Sequence, residues 1–520
     1  MKLLINIFIF IVLSVCVSSA QPPQSTTFLK VLTHLSATLH LELSFSSDLV
    51  NLNDSTDFVF SSQADSCMVQ IESMAGLKLT KKEGHLVVLP APPKIIRMQG
   101  VVMDSETKEL LPYASMQIKN TSSGTTTNSE GKFDFKVVAK YICYEIEITY
   151  LGYSSVILKI PRNSAENVKV MLEPKPYMLS DVYVLPMQMQ AIDMVKKAVK
   201  NIKRNYDRTT AQYDAFYRNT SFRDSLVCQL IEAALLIEDK GINTPNTTTE
   251  IKLQQIRKSN NYLILNNKLM MLAFEKAFGG HRNIFYRAYS NMVRSYQDEW
   301  WYQPLTQYDR FKYEFEGTEW LGDVKVYKVK YIYDLVCPDG KRWSEHEGWD
   351  TGGYFYINST DWAILRIESY SKISPEMKRR GYKGIFWGKS ETEFQKIGEK
   401  YYLKYRHFTD LGDGVPLTVE NPEASNDQQK IKEIQWADVF LLVTNLITER
   451  RDFDKIKYRE VLVRDENSYQ KKYPYDPVFW KNYNILNEKP LRSKYMSDLE
   501  AEKKLEQQFE ENSSNHAENK

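Results

Sequence analysis

The 520-residue chain has five cysteines and no C-x-x-C pair. Beyond Cys16, the thiols Cys67, Cys143, Cys228 and Cys337 stand far apart, which excludes a zinc ribbon and leaves no basis for assigning disulfides; they read as isolated thiols. Charge of one sign is also missing: 68 Lys and Arg face 66 Asp and Glu, so no basic field that would draw nucleic acid is implied. The usual signatures of catalysis are absent as well. There is no G-x-S-x-G nucleophile elbow, no G-x-x-x-x-G-K-[ST] phosphate loop and no Rossmann glycine set. Neither H-E-x-x-H nor the H-x-x-E of metallocarboxypeptidases occurs. These absences argue against the commonest hydrolase and nucleotide-binding chemistries, although catalytic groups can converge from distant positions.

What is present begins with an export pattern. Lys2 precedes an apolar run over residues 3–17, and Ser18-Ser19-Ala20 offers small residues for cleavage before Gln21. The run is too short to span a bilayer comfortably. Leu13-Ser14-Val15-Cys16 is similar to a lipobox, but Val15 stands where a small residue is required, so lipidation at Cys16 is not the expected outcome. The remaining 500 or so residues suffice for two to four domains. Aromatic residues make up 12% of the chain, 33 of them Tyr, which favours β-structure.

Residues 97–135 alternate with period two between turn signals. Met116 and Ile118 point one way, Gln117 and Lys119 the other. Asn128-Ser129-Glu130-Gly131 is turn chemistry with a glycine available for positive φ, after which Phe133 and Phe135 share a face. The run Gly100-Val101-Val102-Met103-Asp104, Leu111-Pro112-Tyr113-Ala114-Ser115-Met116-Gln117-Ile118 and Gly124 to Phe135 resembles the carboxypeptidase-regulatory-like domain. The resemblance covers about residues 95–173 and implies a transthyretin-like β-sandwich. In carboxypeptidases that domain is the accessory piece and not the zinc enzyme.

Residues 27–90 read as a small α/β unit. Phe28, Leu29, Val31, Leu32 and Leu35 have helical spacing, residues 41–45 and 57–60 alternate like strands, and residues 68–74 suit a second helix. A hairpin is expected around Lys82-Glu83-Gly84. With Gly84-His85-Leu86-Val87-Val88-Leu89-Pro90 closing it, the order resembles the secretin and TonB short N-terminal domain. Pro90-Ala91-Pro92-Pro93 then reads as a linker, and Pro174-Lys175-Pro176 closes the sandwich. Leu179 to Val184 resembles the strand that follows this domain in envelope proteins.

Ile192, Val195, Ala198, Val199 and Ile202 predict an amphipathic helix over 191–206, with Lys196, Lys197, Lys200 and Lys203 on a solvated face. Strands are expected from Tyr213, over 226–239, 313–320, 324–333, 353–357, 363–370, 390–396, 400–409 and 434–444, with a helix over 268–278. Phe315 to Trp320, Val326 to Lys330, Gly353 to Asn358 and Ala363 to Glu368 resemble the periplasmic lipoprotein-carrier folds, which are curved antiparallel sheets around an apolar groove. That resemblance covers about residues 205–450. Residues 475–486 resemble a closing "D-x-x-F-W-x-x-Y-N" segment of envelope proteins. A charged helix over about 497–511 and a disordered tail over 512–520 follow.

The densest His and acid cluster is Glu345, His346, Glu347 and Asp350, a weak metal candidate that reads more simply as a polar loop. His281 has no nucleophile at a recognisable spacing. Trp300, Trp301, Tyr302, Phe386 and Trp387 are candidates for a ligand or partner surface. The fold class expected is mostly β with some α (α+β): an export signal over 1–20, the small domain over 27–90, the sandwich over 95–173, a connecting helix over 190–206, the curved sheet over 207–450 and a C-terminal segment over 451–511. The function expected is a non-enzymatic cell-envelope protein, in the periplasm or at the outer membrane, that binds a lipid-like ligand or a protein partner, with no cofactor and no nucleic acid. Two alternatives are an outer-membrane β-barrel related to TonB-dependent receptors, against which Glu391, Glu393 and Lys396 interrupt the outward apolar alternation, and a hydrolase. Lys328, Lys330, Arg366 and Glu368 suit a solvated sheet face or a barrel lumen equally.

Overall fold

The computed structural model describes residues 24–45, 55–58, 67–68, 71–72, 77–90, 95–138, 141, 144–161, 163–175, 190–223, 225–260, 283–297, 303–334, 349–373, 387–411, 417–419, 431–433, 435–463, 473–484 and 493–513. The chain divides into two compact units, Met1–Ile96 with Val137–Cys143, and Arg97–Lys136 with Tyr144–Lys520.

In the first unit, β1 (Gln24–Thr27) pairs with β3 (Ser55–Phe58), and α1 (Phe28–Leu39) follows β1 directly. Thr27 caps α1 through the Lys30 amide, and His40 ends it in the left-handed region. Val31, Leu32 and Leu35 of α1 are buried against Leu79, Leu86 and Val88. Those come from the hairpin of β4 (Leu77–Lys82) and β5 (His85–Pro90). Glu83 and Gly84 both have positive φ, the geometry a two-residue hairpin turn demands. The third strand, β2 (Glu42–Phe45), pairs with β5 in parallel. The expected strand over 57–60 begins two residues earlier, and only residues 68, 71 and 72 of the expected second helix are described.

The sandwich has two sheets. One has the order β12-β6-β9, from β6 (Ile95–Asp104), β9 (Lys132–Val138) and β12 (Ala165–Leu172). The other has the order β11-β10-β7-β8, from β7 (Ser115–Ile118), β8 (Gly124–Thr126), β10 (Glu145–Thr149) and β11 (Val156–Lys159). Met116, Ile118, Phe133 and Phe135, read from alternation, are buried, and Val102, Ile146 and Ile148 are buried with them. Asn128 Oδ1 accepts from the amides of Glu130 and Lys132, and Gly131 sits at φ +67°, so the turn is built by the residues expected to build it. Gly100 has a different reason to be glycine. A Cβ there would lie 2.0 Å from the Val168 carbonyl oxygen, across the bulge in the parallel β12–β6 pairing.

The rest is one open antiparallel sheet of ten strands, β15-β14-β13-β24-β21-β20-β19-β18-β17-β16. Its strands are β13 (Ala211–Arg223), β14 (Leu226–Asp239), β15 (Glu250–Lys258), β16 (Phe311–Leu321), β17 (Val324–Tyr333), β18 (Trp349–Asn358), β19 (Ile364–Ile373), β20 (Trp387–Ile397), β21 (Lys400–Leu411) and β24 (Gln435–Ile447). A small ribbon, β22 (Leu417–Val419) with β23 (Ile431–Glu433), lies between β21 and β24 in sequence. Among the described pairings β15 and β16 do not meet, so the sheet is not closed. The expected strands over 226–239 and 324–333 have the observed bounds, and the others differ at their ends. The helix expected over 268–278 lies outside the described residues.

One face of the sheet is apolar and covered by α2 (Ala191–Asn205) and α3 (Ile284–Tyr289). Asp193 accepts from the Gln190 amide at the start of α2, and Lys203 and Arg204 occupy its last turn, as the helix dipole favours. Met194, Val195, Ala198 and Ile202 are buried, each fully buried large aliphatic side chain contributing roughly 1.5–3 kcal/mol. The lysine face is not wholly solvated as expected. Lys196, Lys200 and Lys203 are exposed, but Lys197 is half-buried with its Nζ 4.0 Å over the Trp362 ring, and Lys196 Nζ lies 5.4 Å over Tyr308, where the ring faces attract the ammonium.

The C-terminal helix expected over 497–511 is instead two, α5 (Ser493–Leu499) and α6 (Leu505–Glu511), after α4 (Pro477–Asn482). Glu500 accepts from the Leu505 amide at the break, which lets Leu499, Leu505 and Phe509 all bury against Phe222, Val227 and Leu230. Among the described residues no helix is long and apolar enough to cross a membrane.

Candidate functional site

The register of the sheet places a polar ladder on the face opposite α2 and α3. One row runs Lys330, Tyr354, Glu368, Glu391, His407, Phe440, Arg218, Glu232, Arg257 across nine strands. The row beside it runs Lys328, Tyr356, Arg366, Glu393, Tyr405, Leu442, Phe216, Ala234, Gln255. Glu368 and Glu391 are direct cross-strand neighbours, a like-charge pairing that is unfavourable alone. Arg366 resolves it. Its Nη2 lies 3.0 Å from Glu368 Oε1 and 2.7 Å from Glu391 Oε1, and its Nη1 donates to Glu393 Oε2 at 3.2 Å.

Around that hub Lys404 Nζ donates to Glu393 Oε1 at 2.7 Å, and the Tyr405 hydroxyl donates to Glu391. Glu391, Glu393 and Lys404 are 8%, 4% and 8% exposed, so these charges are held in the protein interior. Burial works against the Arg366 charge, but the oxygens of Tyr405, Glu391, Glu368 and Glu393 outweigh it and hold the guanidinium above its ordinary range. Burial alone would raise the Glu393 carboxyl; Lys404 and Arg366 overcome it and keep it below the usual carboxylate range. Arg366 and Glu368, read from sequence as a solvated or lumenal face, have side chains 11% and 20% exposed, because cross-strand ion pairing covers most of their surface. Glu391 and Glu393 break the apolar alternation because they serve this cluster.

A second knot lies at the other end of the ladder. Glu232, 1% exposed, is held by Arg218 Nε at 2.7 Å and Arg257 Nε at 2.5 Å. Burial would raise this carboxyl, and the two guanidinium groups together lower it.

Between the two knots the same face carries an apolar island of Phe216, Ala234, Tyr405, Phe440 and Leu442. Two aromatic residues cap it. Tyr113 of the sandwich reaches in with its ring 5.7 Å from Phe440 and 4.7 Å from His407. Its backbone is at φ +58°, a conformation that costs a residue with a Cβ and implies a compensating contact. Trp480 of α4 is the other cap, 3% exposed and covered by Arg257 at 4.5 Å. His407 Nε2 lies 2.7 Å from Asp438 Oδ1; burial opposes its protonation, but Asp438 dominates and raises the imidazole above its ordinary value.

Polar contacts complete the seam between sandwich and sheet. Ser122 Oγ donates to Asn445 Oδ1 and to the Leu446 carbonyl, both at 3.0 Å. The Gly152 amide donates to the Trp320 carbonyl at 2.7 Å, Lys175 Nζ lies 2.8 Å from Asp323 Oδ1, and the same ammonium stands 4.4 Å over the Trp320 ring. Tyr150 also lies in the field of the Arg366 cluster, its hydroxyl raised by burial.

On the apolar face a cleft is lined by Tyr206, Ala211, Tyr213, Asp239, Arg294 and Tyr402, among others. Asp239 accepts from Tyr289 Oη at 2.5 Å and from Arg294 Nε at 2.8 Å, and Arg294 Nη1 donates onward to the Thr244 carbonyl at 2.6 Å. The cleft offers about 40 Å³ to the centres of water-sized molecules. That is room for a few waters, against the several hundred Å³ of a typical small-molecule site.

Trp300, Trp301, Tyr302, Phe386, Glu345, His346, Glu347 and His281 lie outside the described residues. Trp387 is described only as the first backbone position of β20. Asp350 is on β18, where its Oδ2 lies 3.1 Å from Lys372 Nζ, an ordinary cross-strand pair. Cys67 and Cys228 are buried. The ladder and its caps were not singled out from sequence. The available signal was charge repeated at period two, as in Lys328 and Lys330, Arg366 and Glu368, and Glu391 and Glu393, but only the register shows which residues stand side by side.

Among proteins of curated function none matches the chain. Three solved structures are similar over about half of it. A putative outer membrane lipoprotein-sorting protein domain from Vibrio parahaemolyticus shares 9% identity, over 51% of this chain and 97% of that chain, with a TM-score of 0.26. A DUF1329 family protein from Desulfovibrio piger ATCC 29098 shares 9%, over 50% and 93%, with a TM-score of 0.21. A LolA superfamily protein from Nitrosomonas europaea shares 11%, over 52% and 99%, with a TM-score of 0.19. Residues 98–184, which contain the sandwich strands from Met98 onward, match the family model of the CarboxypepD_reg-like domain.

Proposed function

We propose that this chain is an exported, non-enzymatic binding protein of the cell envelope that works by contact with a protein partner, not by carrying a lipid in its sheet. One observation carries the choice between those two. Among the described residues both faces of the ten-stranded sheet carry the chain's own elements, and the cleft beside Tyr213, Asp239 and Arg294 on the apolar face has a volume of about 40 Å³. An acyl chain entering there must first displace α2 or α3. On the polar face, Tyr113 of the sandwich and Trp480 of α4 cover the apolar island beside the ion-paired cluster of Arg366, Glu391, Glu393 and Lys404. A sheet packed in this way is a rigid support that presents a sandwich and its loops. The secretory pattern over 1–20 supports export, and the accessory character of the sandwich family supports a binding role.

The test is the mature chain from Gln21, purified without detergent and examined by size exclusion and native mass spectrometry. The reading expects a soluble chain at its bare mass. A co-purifying lipid refutes the choice made here in favour of carriage. Aggregation relieved only by detergent supports a membrane-embedded sheet.

A further inference from the structure

We infer that residues 473–484 form a latch that clamps the sandwich to the sheet and opens as a local unit while the sheet stays folded. Strand β9 is an outer strand of its three-stranded sheet. At Lys136 that outer edge is closed by one side chain: the Lys136 amide donates to Asn484 Oδ1 and Asn484 Nδ2 donates to the Lys136 carbonyl, both at 2.9 Å. A primary amide presents a donor and an acceptor side by side, as a neighbouring strand does, so Asn484 substitutes for one rung of a ladder. The Lys136 side chain adds a third bond, Nζ to the Tyr483 carbonyl at 2.8 Å.

The other half of the clamp lies on the sheet. Asp476 caps α4 by accepting from the amides of Val478 and Phe479, and its own amide donates to Gln255 of β15 at 3.2 Å. Trp480 then seals the apolar island beside Tyr113. The segment thus touches β9, β15 and the island at once, beside the contacts that Tyr113, Ser122, Gly152 and Lys175 make between sandwich and sheet.

It is anchored by side chains: Trp480 is buried in the island, Tyr475, Phe479 and Tyr483 pack against it, and among the described pairings no main-chain ladder ties the segment to the sheet. α4 has six residues, too short to be stable alone. Val478 is 67% exposed, and Trp480 is its one buried residue. The sheet beneath is held by continuous ladders over β13, β14 and β24. A short segment held by side-chain packing, with no main-chain ladder among the described pairings, opens before a support whose strands are continuously paired. Opening bares the Lys136 main-chain edge and the island together, which is a strand edge beside an apolar surface, suited to an extended segment of a partner.

Native-state hydrogen exchange by mass spectrometry on the mature chain tests this. The amides of Lys136 and of 479–483 should exchange together, at least tenfold faster than those of β13 and β14. Trp480→Ala should accelerate both sets tenfold or more and leave β20 and β21 unchanged. Asn484→Ala should accelerate Lys136 with a smaller effect on α4. Asp476→Ala, which frays α4 without opening a cavity, serves if the Trp480 variant does not fold. Exchange of Lys136 in step with β13 and β14, or no response of Lys136 to either Asn484→Ala or Asp476→Ala, overturns the inference.

Discussion

Replacing Arg366 by Leu isolates the polar cluster as a test of the whole sheet face. The wild-type guanidinium contacts three carboxylates, Glu368, Glu391 and Glu393, and Lys404 is the other cation on Glu393. Removing one partner of a buried ion pair costs about 3–5 kcal/mol, because the other charge is left unpaired in the interior. The cost depends on pH in a definite direction. In the wild type Glu393 is held below its ordinary value, so its stabilisation is present above the unfolded value and lost as pH falls. In Arg366→Leu the carboxylates left with one cation have their values raised, so they oppose folding at neutral pH and the opposition fades on acidification. The two proteins therefore converge as pH falls. The assay is native-state hydrogen exchange on β19, β20 and β21 at pH 7.5 and 5.0, corrected for intrinsic rates. A deficit under about 1 kcal/mol at pH 7.5, or one that widens on acidification, refutes the reasoning.

Lys136 gives a pH dependence of the other sign. Burial pushes its ammonium down to about 8, with Asp134 and Glu232 opposing and Arg97 and Arg257 adding to the shift. A lysine lowered in the folded state destabilises it while charged, so local stability rises from pH 8 towards the ordinary value of 10.5, by about 1–3 kcal/mol. Exchange at the seam should slow over that window in the wild type and stay flat in Lys136→Met. Gly322→Ala forces a Cβ into φ +58° and to 2.9 Å from Thr149 Cγ2 of the sandwich, and should cost about 1–2 kcal/mol in urea unfolding. Tyr113→Asn tolerates the positive φ and removes the ring; proteolysis should then cut the sandwich loops faster with the sheet intact.

Much of the fold was legible in the sequence because it is local. Turn residues with positive φ, such as Gly84 and Gly131, sit where turns were expected, and period-two alternation located part of the sandwich core. The polar ladder was not legible. Arg366 and Glu391 are 25 residues apart, and that they share a guanidinium depends on register, which alternation alone does not fix across a ten-stranded sheet. Tyr113 stands in sequence only as one member of the motif Leu111 to Ile118, and only its ring contacts with Phe440 and His407 show it as a cap. The closing segment around Trp480 was visible as a pattern, but its task at Lys136 depends on a contact 348 residues distant in sequence. The single C-terminal helix failed because charge count hides a break that serves three buried side chains, Leu499, Leu505 and Phe509.

Titrating the detergent-free mature chain with a fluorescent acyl-chain probe tests the central claim most directly. With α2 and α3 packed on the apolar face, the account predicts no saturable binding, and no change on Ala198→Trp beyond its effect on stability. Saturable binding at micromolar probe, abolished by Ala198→Trp in a chain that remains folded, would contradict it and return the apolar face to a ligand.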